Sequence, residues 1–401
     1  MHMTTRRVPL HQRGQGINPE QFVDERSPYT QFQSWLGETL GVVGCPVDCK
    51  YCFFQLDGKT PAKPQKFISP QEMVENLREA PTYTEEMPVN YGSETDAFST
   101  NQTIAYYTEL LRCYGQSQYP NPVVFISKRS VPEEIMEVAA NIPQPVLFYM
   151  SFSGLAGTAI EPTVDHETIK QNFIRLRERN LLAIHYWRPF VPTNSTPQKI
   201  EEVLEFVSRY AICSVINGLR LNNGIRDNMM EFWPELSEQE YDFSQSGEFW
   251  PQGIREYLIR HIGEDYPSYP VFFGNTPCSV THALGKSDVY GHYNGSACRE
   301  SNCPSSQREL CACSYRVPSL VEIERVAFRM GINPAHVRIE ADRVIAKGVV
   351  ESGKVSCMRY MLKFPVCSEA IGYAAGYNWA NIRDEGQIIE VPWKDNWTSS
   401  Q

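Results

Sequence analysis

No apolar run in this chain approaches the roughly 18 residues that cross a bilayer as a helix, so no membrane span is expected. The opening residues, MHMTTRRVPLHQRGQG, lack the apolar stretch of a secretory leader, and a cytoplasmic location is the expectation. Basic charge is in short supply: 37 Lys and Arg stand against 47 Asp and Glu, a net charge of −10. Such a chain has no general attraction for phosphate backbones, so a nucleic-acid partner is not favoured, although a local basic groove leaves it possible. Familiar phosphate and zinc motifs are also missing. There is no Gly-x-Gly-x-x-Gly, and Gly285-Lys286-Ser287 has Val280 where a P-loop needs its first glycine. His166-Glu167 has no second histidine at helical spacing, and eight scattered histidines give no basis for a Ser–His–Asp triad. Neither a fixed-period repeat nor a low-complexity tract is present.

What is there is a chain of 401 residues, 42% hydrophobic and 12% aromatic, enough for a substantial core and two or three domains. From residue 39 to about 222, apolar runs alternate with helical patterns. The runs are 40–44, 87–91, 123–127, 146–152, 182–187 and 212–221. Helical patterns open at Ser69-Pro70 and cover 103–113, 132–140, 166–179 and 197–210. Ser69 is an N-cap with Pro70 at the first helical position. Six strand–helix units in series with right-handed crossovers predict a parallel sheet covered by helices. An open six-unit barrel and a doubly wound sheet both satisfy that pattern. Residues 223–262 read as helical and aromatic-rich, and 274–313 as an irregular segment. A helix over 319–330 and strand-like pieces around 337–350 and 358–366 complete the tail.

Twelve cysteines in a cytoplasmic chain call for metal or redox chemistry rather than disulfides. They cluster, three within 45–52 and five within 278–313. The first group, Cys45-Pro-Val-Asp-Cys49-Lys-Tyr-Cys52, is a C-x3-C-x2-C array directly after the first run. Three thiolates on one loop can bind three irons of a [4Fe–4S] cube and leave the fourth open for a substrate or cofactor. The competing reading is a zinc knuckle, but no His or Cys follows within twenty residues of Cys52 to supply a fourth ligand.

The array resembles the signature of the radical S-adenosylmethionine (SAM) superfamily, down to the aromatic Tyr51 before the third cysteine. That resemblance implies an α/β partial (β/α)6 barrel with a [4Fe–4S] cluster at its top. It also implies reductive cleavage of SAM to a 5′-deoxyadenosyl radical, fed by an external one-electron donor of flavodoxin or ferredoxin type. Ligand-binding residues of a parallel βα array gather at the carboxyl ends of its strands. There the sequence offers Gly92, Ser93, Glu94 and Asp96, similar to the family's Gly-Gly-Glu motif with a serine in place of the second glycine. It further offers Ser127 and Lys128; Ser151, Ser153 and Glu161; Arg188; and Asn217, Arg220 and Asn222. The resemblance implies that Ser151, Ser153 and Glu161 lie where family members often place a Ser and a carboxylate against the SAM ribose and carboxylate, and Arg188 suits the methionine carboxylate as a charge-assisted fork. PVNYGSETDAF (88–98), VVFISK (123–128) and RPFVP (188–192) look like spore photoproduct lyase-like members over residues 40–222. Those enzymes carry a cysteine hydrogen donor, for which Cys213 is the candidate; the plain alternative is a small buried hydrophobe.

The second group, Cys278, Cys298, Cys303, Cys311 and Cys313, reads as the holder of an auxiliary [4Fe–4S] cluster, with zinc or no metal as alternatives. Cys357 and Cys367 read as core residues on strands. The expected organisation is an N-terminal arm (1–38), the radical SAM partial barrel (39–262), the cysteine-rich auxiliary segment (263–315) and a small C-terminal α/β cap (316–401). The expected substrate is a small metabolite, nucleoside or peptide. Nucleic-acid lesion repair is the alternative, and a non-catalytic iron–sulfur redox protein a second one.

Overall fold

The apolar runs become parallel strands whose order in the sheet is their order in the chain. The computed structural model describes residues 22–23, 27–31, 35–55, 58–80, 82–221, 223–239, 247–274, 276–287, 302–314, 316–340, 343–348, 354, 358–359, 361–368 and 388–393. Within it β1 is Leu36–Glu38, β2 Val89–Tyr91, β3 Val123–Ser127, β4 Val146–Met150, β5 Leu182–Phe190 and β6 Ser214–Arg220. Each of the five neighbouring pairs is parallel. The crossovers carry α1 (Pro70–Glu75), α2 (Asn101–Gln116), α3 (Glu133–Asn141), α4 (His166–Glu178) and α5 (Pro197–Tyr210).

Local chemistry sets the helix starts. The Ser69 hydroxyl accepts from the Glu72 amide, with Pro70 at the first helical position. Thr100 and Thr103 form a reciprocal capping box at the head of α2.

Strands buried on both faces read as nearly continuous hydrophobic runs, and here the two faces separate cleanly. Val89, Tyr91, Val123, Phe125, Val146, Phe148, Met150, Trp187 and Ile216 pack in the cluster shared with the covering helices. Val124, Leu147, Tyr149, Ile184, Tyr186 and Val215, on the opposite pleat, pack together with Trp35 and Phe272.

Among the described residues the array does not close into a full barrel. On its outer side β1 pairs antiparallel with Tyr29–Gln31. At the other edge β6 forks: β7 (Glu248–Pro251) runs antiparallel to its carboxyl end and β8 (Val271–Phe273) parallel to its amino end. Ile388–Val391 then adds to β7 in parallel. A second, smaller core joins the helix Leu320–Arg329 to the three-stranded sheet Val337–Ile339, Val344–Ala346 and Val366–Ser368. Among the described residues no helix is long and apolar enough to cross a membrane.

Four expectations change. The first parallel strand is Leu36–Glu38, not 40–44; only Val42–Val43 of that run is extended, in a two-residue ladder with Gln65–Lys66. The glycines at 41 and 44 break the run, and the Glu38 side chain occupies the space a Cβ on Gly41 would need. Residues 223–262 are not continuously helical, because Asn223–Met229 (α6), a short turn of helix at Pro234–Glu238 and β7 precede α7 (Ile254–Asp265). The segment 274–313 contains two helices, α8 (Thr276–Ala283) and α9 (Ser305–Ser314). Met358 lies on helical backbone, and the strand predicted over 358–366 begins only at Val366. Cys298, Cys357, Asn222 and residues 1–20 lie outside the described residues.

Candidate functional site

After β1 the chain crosses the carboxyl ends of the strands as the loop carrying Cys45, Cys49 and Cys52. Gly44 opens it at φ +105°, where an L side chain is strained. A Cβ there would meet the Lys63 carbonyl oxygen at 2.8 Å. The loop is fixed mostly through its backbone. The Cys45 amide donates to the Lys59 carbonyl (2.7 Å), the Ala62 amide to Cys45 O (2.9 Å) and the Lys50 amide to Ile160 O (3.0 Å). Thr60 Oγ1 donates to Val47 O (2.6 Å), and Gln55 Nε2 to Cys49 O (2.6 Å).

All three thiols are free of disulfides. Burial pushes Cys45 up to about 12 and raises Cys49 and Cys52 as well. Cys52 adds to the rise at Cys45, and both partners add to it at Cys49, so the three sulfurs share one electrostatic neighbourhood. Without metal they are neutral thiols at pH 7; coordination displaces their protons. Among the described residues, no three His, Cys, Asp or Glu side chains stand close enough together to hold a single metal ion. Three thiols on one loop fit instead a group that takes one thiolate at each of three corners.

The loop after β2 is tied to this one. Gly44 N donates to Glu94 O (3.0 Å), and Thr95 Oγ1 to Gly44 O (2.7 Å). Gly92 has φ +80°, and a Cβ on it would crowd Ala97 at 3.1 Å. Ser93 Oγ turns back to Asn90 O (3.2 Å), and Glu94 pairs with Lys59 at 2.6 Å. Asp96 is buried; burial raises its pKa against the donors that satisfy it, the amides of Lys128 (2.8 Å) and Phe98 (3.0 Å) and Ser127 Oγ (2.8 Å). Asp96 therefore organises the turn after β3.

Beyond β4 lies a buried ionic knot. Glu161, 0% exposed, accepts from Lys128 Nζ (2.8 Å), Ser153 Oγ (2.7 Å) and the Tyr51 hydroxyl. Lys128 Nζ also donates to Ser151 Oγ (2.6 Å) and stands 5.5 Å above the Tyr51 ring. Sequence positions 51, 128, 151, 153 and 161 thus meet directly beside Cys49, whose pKa Lys128 lowers and Glu161 raises. Arg188 rests its guanidinium 4.1 Å from the Tyr186 ring centre, and its positive charge reaches Tyr51 and Cys52. Asn217 is buried near the end of β6, with Gly274 beside its amide.

Cys213 is not part of this gathering. It is buried just before β6, a seven-residue strand away from the mouth, among Tyr149, Tyr186, Phe272 and Cys278. Of the second cysteine group, Cys278 is buried on α8 and packs on the inner face of the sheet, and Cys303 lies against the same cluster. Cys311 on α9 accepts from Gln307 Nε2 at 3.3 Å, and Cys313 is exposed.

Glu38 escapes the sequence reading, and Lys128 is offered there without its role. Lys128 is visible only as a lysine after β3, with nothing to announce its partner 33 positions away. Glu38 closes β1, is 1% exposed and holds two loops at once. Its signal, an acidic residue at a strand's carboxyl end, is hidden when the strand is placed four residues late.

No family model and no curated protein matches the sequence. Solved structures do resemble the fold. Spore photoproduct lyase in complex with a dinucleoside spore photoproduct is similar at 12% identity and a TM-score of 0.46, over 58% of this chain and 75% of that one. SuiB of Streptococcus suis bound to S-adenosylmethionine is similar at 10% identity and 0.37, over 49% and 46%. SuiB bound to its precursor peptide SuiA is similar at 10% and 0.40, over 56% and 45%. The likeness is one of fold.

Proposed function

We propose that the chain is a radical SAM enzyme in which Cys45, Cys49 and Cys52 hold a [4Fe–4S] cluster. The observation that carries this reading is three disulfide-free thiols on one loop at the carboxyl ends of a parallel six-strand array. When bound, the cluster supplies the electron that cleaves SAM to the 5′-deoxyadenosyl radical, which takes hydrogen from the substrate. The protein's part is binding, orientation and exclusion of water.

The turn at Gly92 brings bare backbone to the mouth, where it suits the SAM amino group together with Ser93, Glu94 and Asp96. Arg188, stacked and without an ion pair among the described residues, offers a planar fork for the methionine carboxylate. Ser151, Ser153 and Glu161 line the side where the ribose would lie. Lys128 keeps the Glu161 carboxylate fixed and places a positive charge near the thiolates. Tyr51, bonded to Glu161, clamps the cysteine loop to the segment after β4.

On this reading four of the five cysteines Cys278, Cys298, Cys303, Cys311 and Cys313 hold an auxiliary cluster, and residues 316–401 cap the barrel. The substrate is a small metabolite, nucleoside or peptide, and an external one-electron donor serves the cluster. The test is anaerobic reconstitution followed by strong reductant and SAM. Formation of 5′-deoxyadenosine that is lost in Cys49→Ala supports the reading. Iron loading without any 5′-deoxyadenosine overturns it in favour of a non-catalytic redox protein.

A further inference from the structure

Among the described residues Glu38 is a buried carboxylate with no cation among its hydrogen-bond partners. Its Oε1 accepts from the Val42 amide (2.8 Å) and the Tyr107 hydroxyl (3.1 Å), and its Oε2 from the Gly92 amide (2.9 Å). Val42 lies three residues before Cys45, and Gly92 is the first residue after β2, so the two arms of one side chain hold the roots of the two loops that frame the site. Gly41 is required for this clasp, because a Cβ there would lie 1.9 Å from Glu38 Oε1.

Such an arrangement is expensive. Burying a carboxylate away from water costs several kcal/mol that neutral donors repay only in part, and burial raises its pKa to about 7. Packing alone would be served by an apolar residue or a glutamine. A glutamine has one accepting oxygen and would turn its amide nitrogen toward one of the loop N–H groups, so it cannot hold both loops. What only the carboxylate provides is a fixed separation between them, the kind of second-layer support on which a cofactor site depends.

We propose that Glu38 is a positioning residue for SAM: it sets the distance between the thiol loop and the Gly92–Asp96 loop, and with it SAM affinity. This rests on the cofactor reading above. Glu38 touches no thiol, so cluster loading and SAM binding separate in the test.

Wild type, Glu38→Gln and Glu38→Asp are reconstituted without oxygen. Iron and sulfide content, SAM dissociation constant by equilibrium dialysis, and electron paramagnetic resonance of the reduced protein with and without SAM are measured. Hydrogen exchange at the amides of Val42 and Gly92 is followed alongside. The expected result is wild-type iron content in both variants, faster exchange at one or both amides, SAM binding weakened about tenfold, and a smaller SAM-induced spectral change. If Glu38→Gln does not fold, Glu38→Asp decides, because it keeps the charge but is one methylene too short to span both loops. A variant that folds, loads iron and binds SAM within twofold of wild type overturns the proposal and leaves the cofactor reading standing. A wild-type protein that takes up no iron overturns both.

Discussion

Replacing Lys128 by methionine tests the ionic knot beside the cysteine loop. The substitution keeps the length of the side chain and removes its charge, leaving the fully buried Glu161 carboxylate, among the described residues, with only the Ser153 and Tyr51 hydroxyls. Breaking a buried pair in this way costs about 3–5 kcal/mol, because the surviving charge has neither partner nor water. At about 2–4 °C per kcal/mol for a domain of this order, the melting temperature of the metal-free protein should fall by roughly 6–20 °C. Glu161→Leu should be milder, about 1–3 kcal/mol, since Lys128 retains 14% side-chain exposure and can be hydrated. The decisive species is the double variant Lys128→Met/Glu161→Leu. It removes both charges, and apolar replacement of a whole buried pair is often close to neutral, so it should be more stable than Lys128→Met alone. Differential scanning calorimetry of the four proteins closes the cycle. A Lys128→Met variant that loses less than about 1 kcal/mol, or a double variant that loses the sum of the two singles, refutes the argument that these charges depend on each other.

Three further outcomes are expected. The Cys45→Ala/Cys49→Ala/Cys52→Ala triple variant should retain about four irons per chain if the later cysteines hold a second [4Fe–4S] cluster; iron and sulfide analysis finding none refutes that cluster. Because burial holds the Cys45 thiol at about 12, iron uptake must displace its proton, so uptake titrated from pH 9 down to 7 should weaken steadily. Uptake independent of pH would refute this. Buried His185 is bonded to Ser214 Oγ (2.7 Å) and Phe152 O (2.9 Å), and its pKa is lowered from 6.5 to about 4. Its contribution to stability is present above pH 6.5 and is lost as the pH falls toward 4. Glu38, raised from 4.5 to about 7, acts in the opposite direction, because its charge burdens the folded state above pH 7 and the burden is relieved as the pH falls toward 4.5. Each amounts to about 3 kcal/mol, so the two nearly offset in wild type. Glu38→Gln should therefore lose stability more steeply than wild type between pH 7 and 4 and His185→Gln less steeply; parallel profiles in all three proteins refute the pairing.

The chain order of the six parallel strands was legible because each is an apolar run bounded by polar loops, and parallel strands between helices must be apolar on both faces. β1 was misplaced for the same reason. Leu-Gly-Val-Val-Gly is the more hydrophobic stretch, yet its glycines bend the chain, while the true strand ends in a glutamate that periodicity counts as loop. The helices in 274–313 escaped because Thr276–Ala283 and Ser305–Ser314 are short, poor in leucine and built around cysteines that a sequence reading assigns to metal. The site divides along a similar line. The three thiols lie on one short loop, so their spacing survives in the sequence. Positioning groups carry no such constraint. Lys128 and Glu161 are 33 residues apart, Glu38 and Gly92 54, and Tyr51 and Glu161 110. Such pairs are made by the order of strands in the sheet, which brings successive strand ends side by side whatever the distance along the chain. Local spacing therefore reports the chemistry a site can perform, and the fold alone reports what holds that chemistry in place.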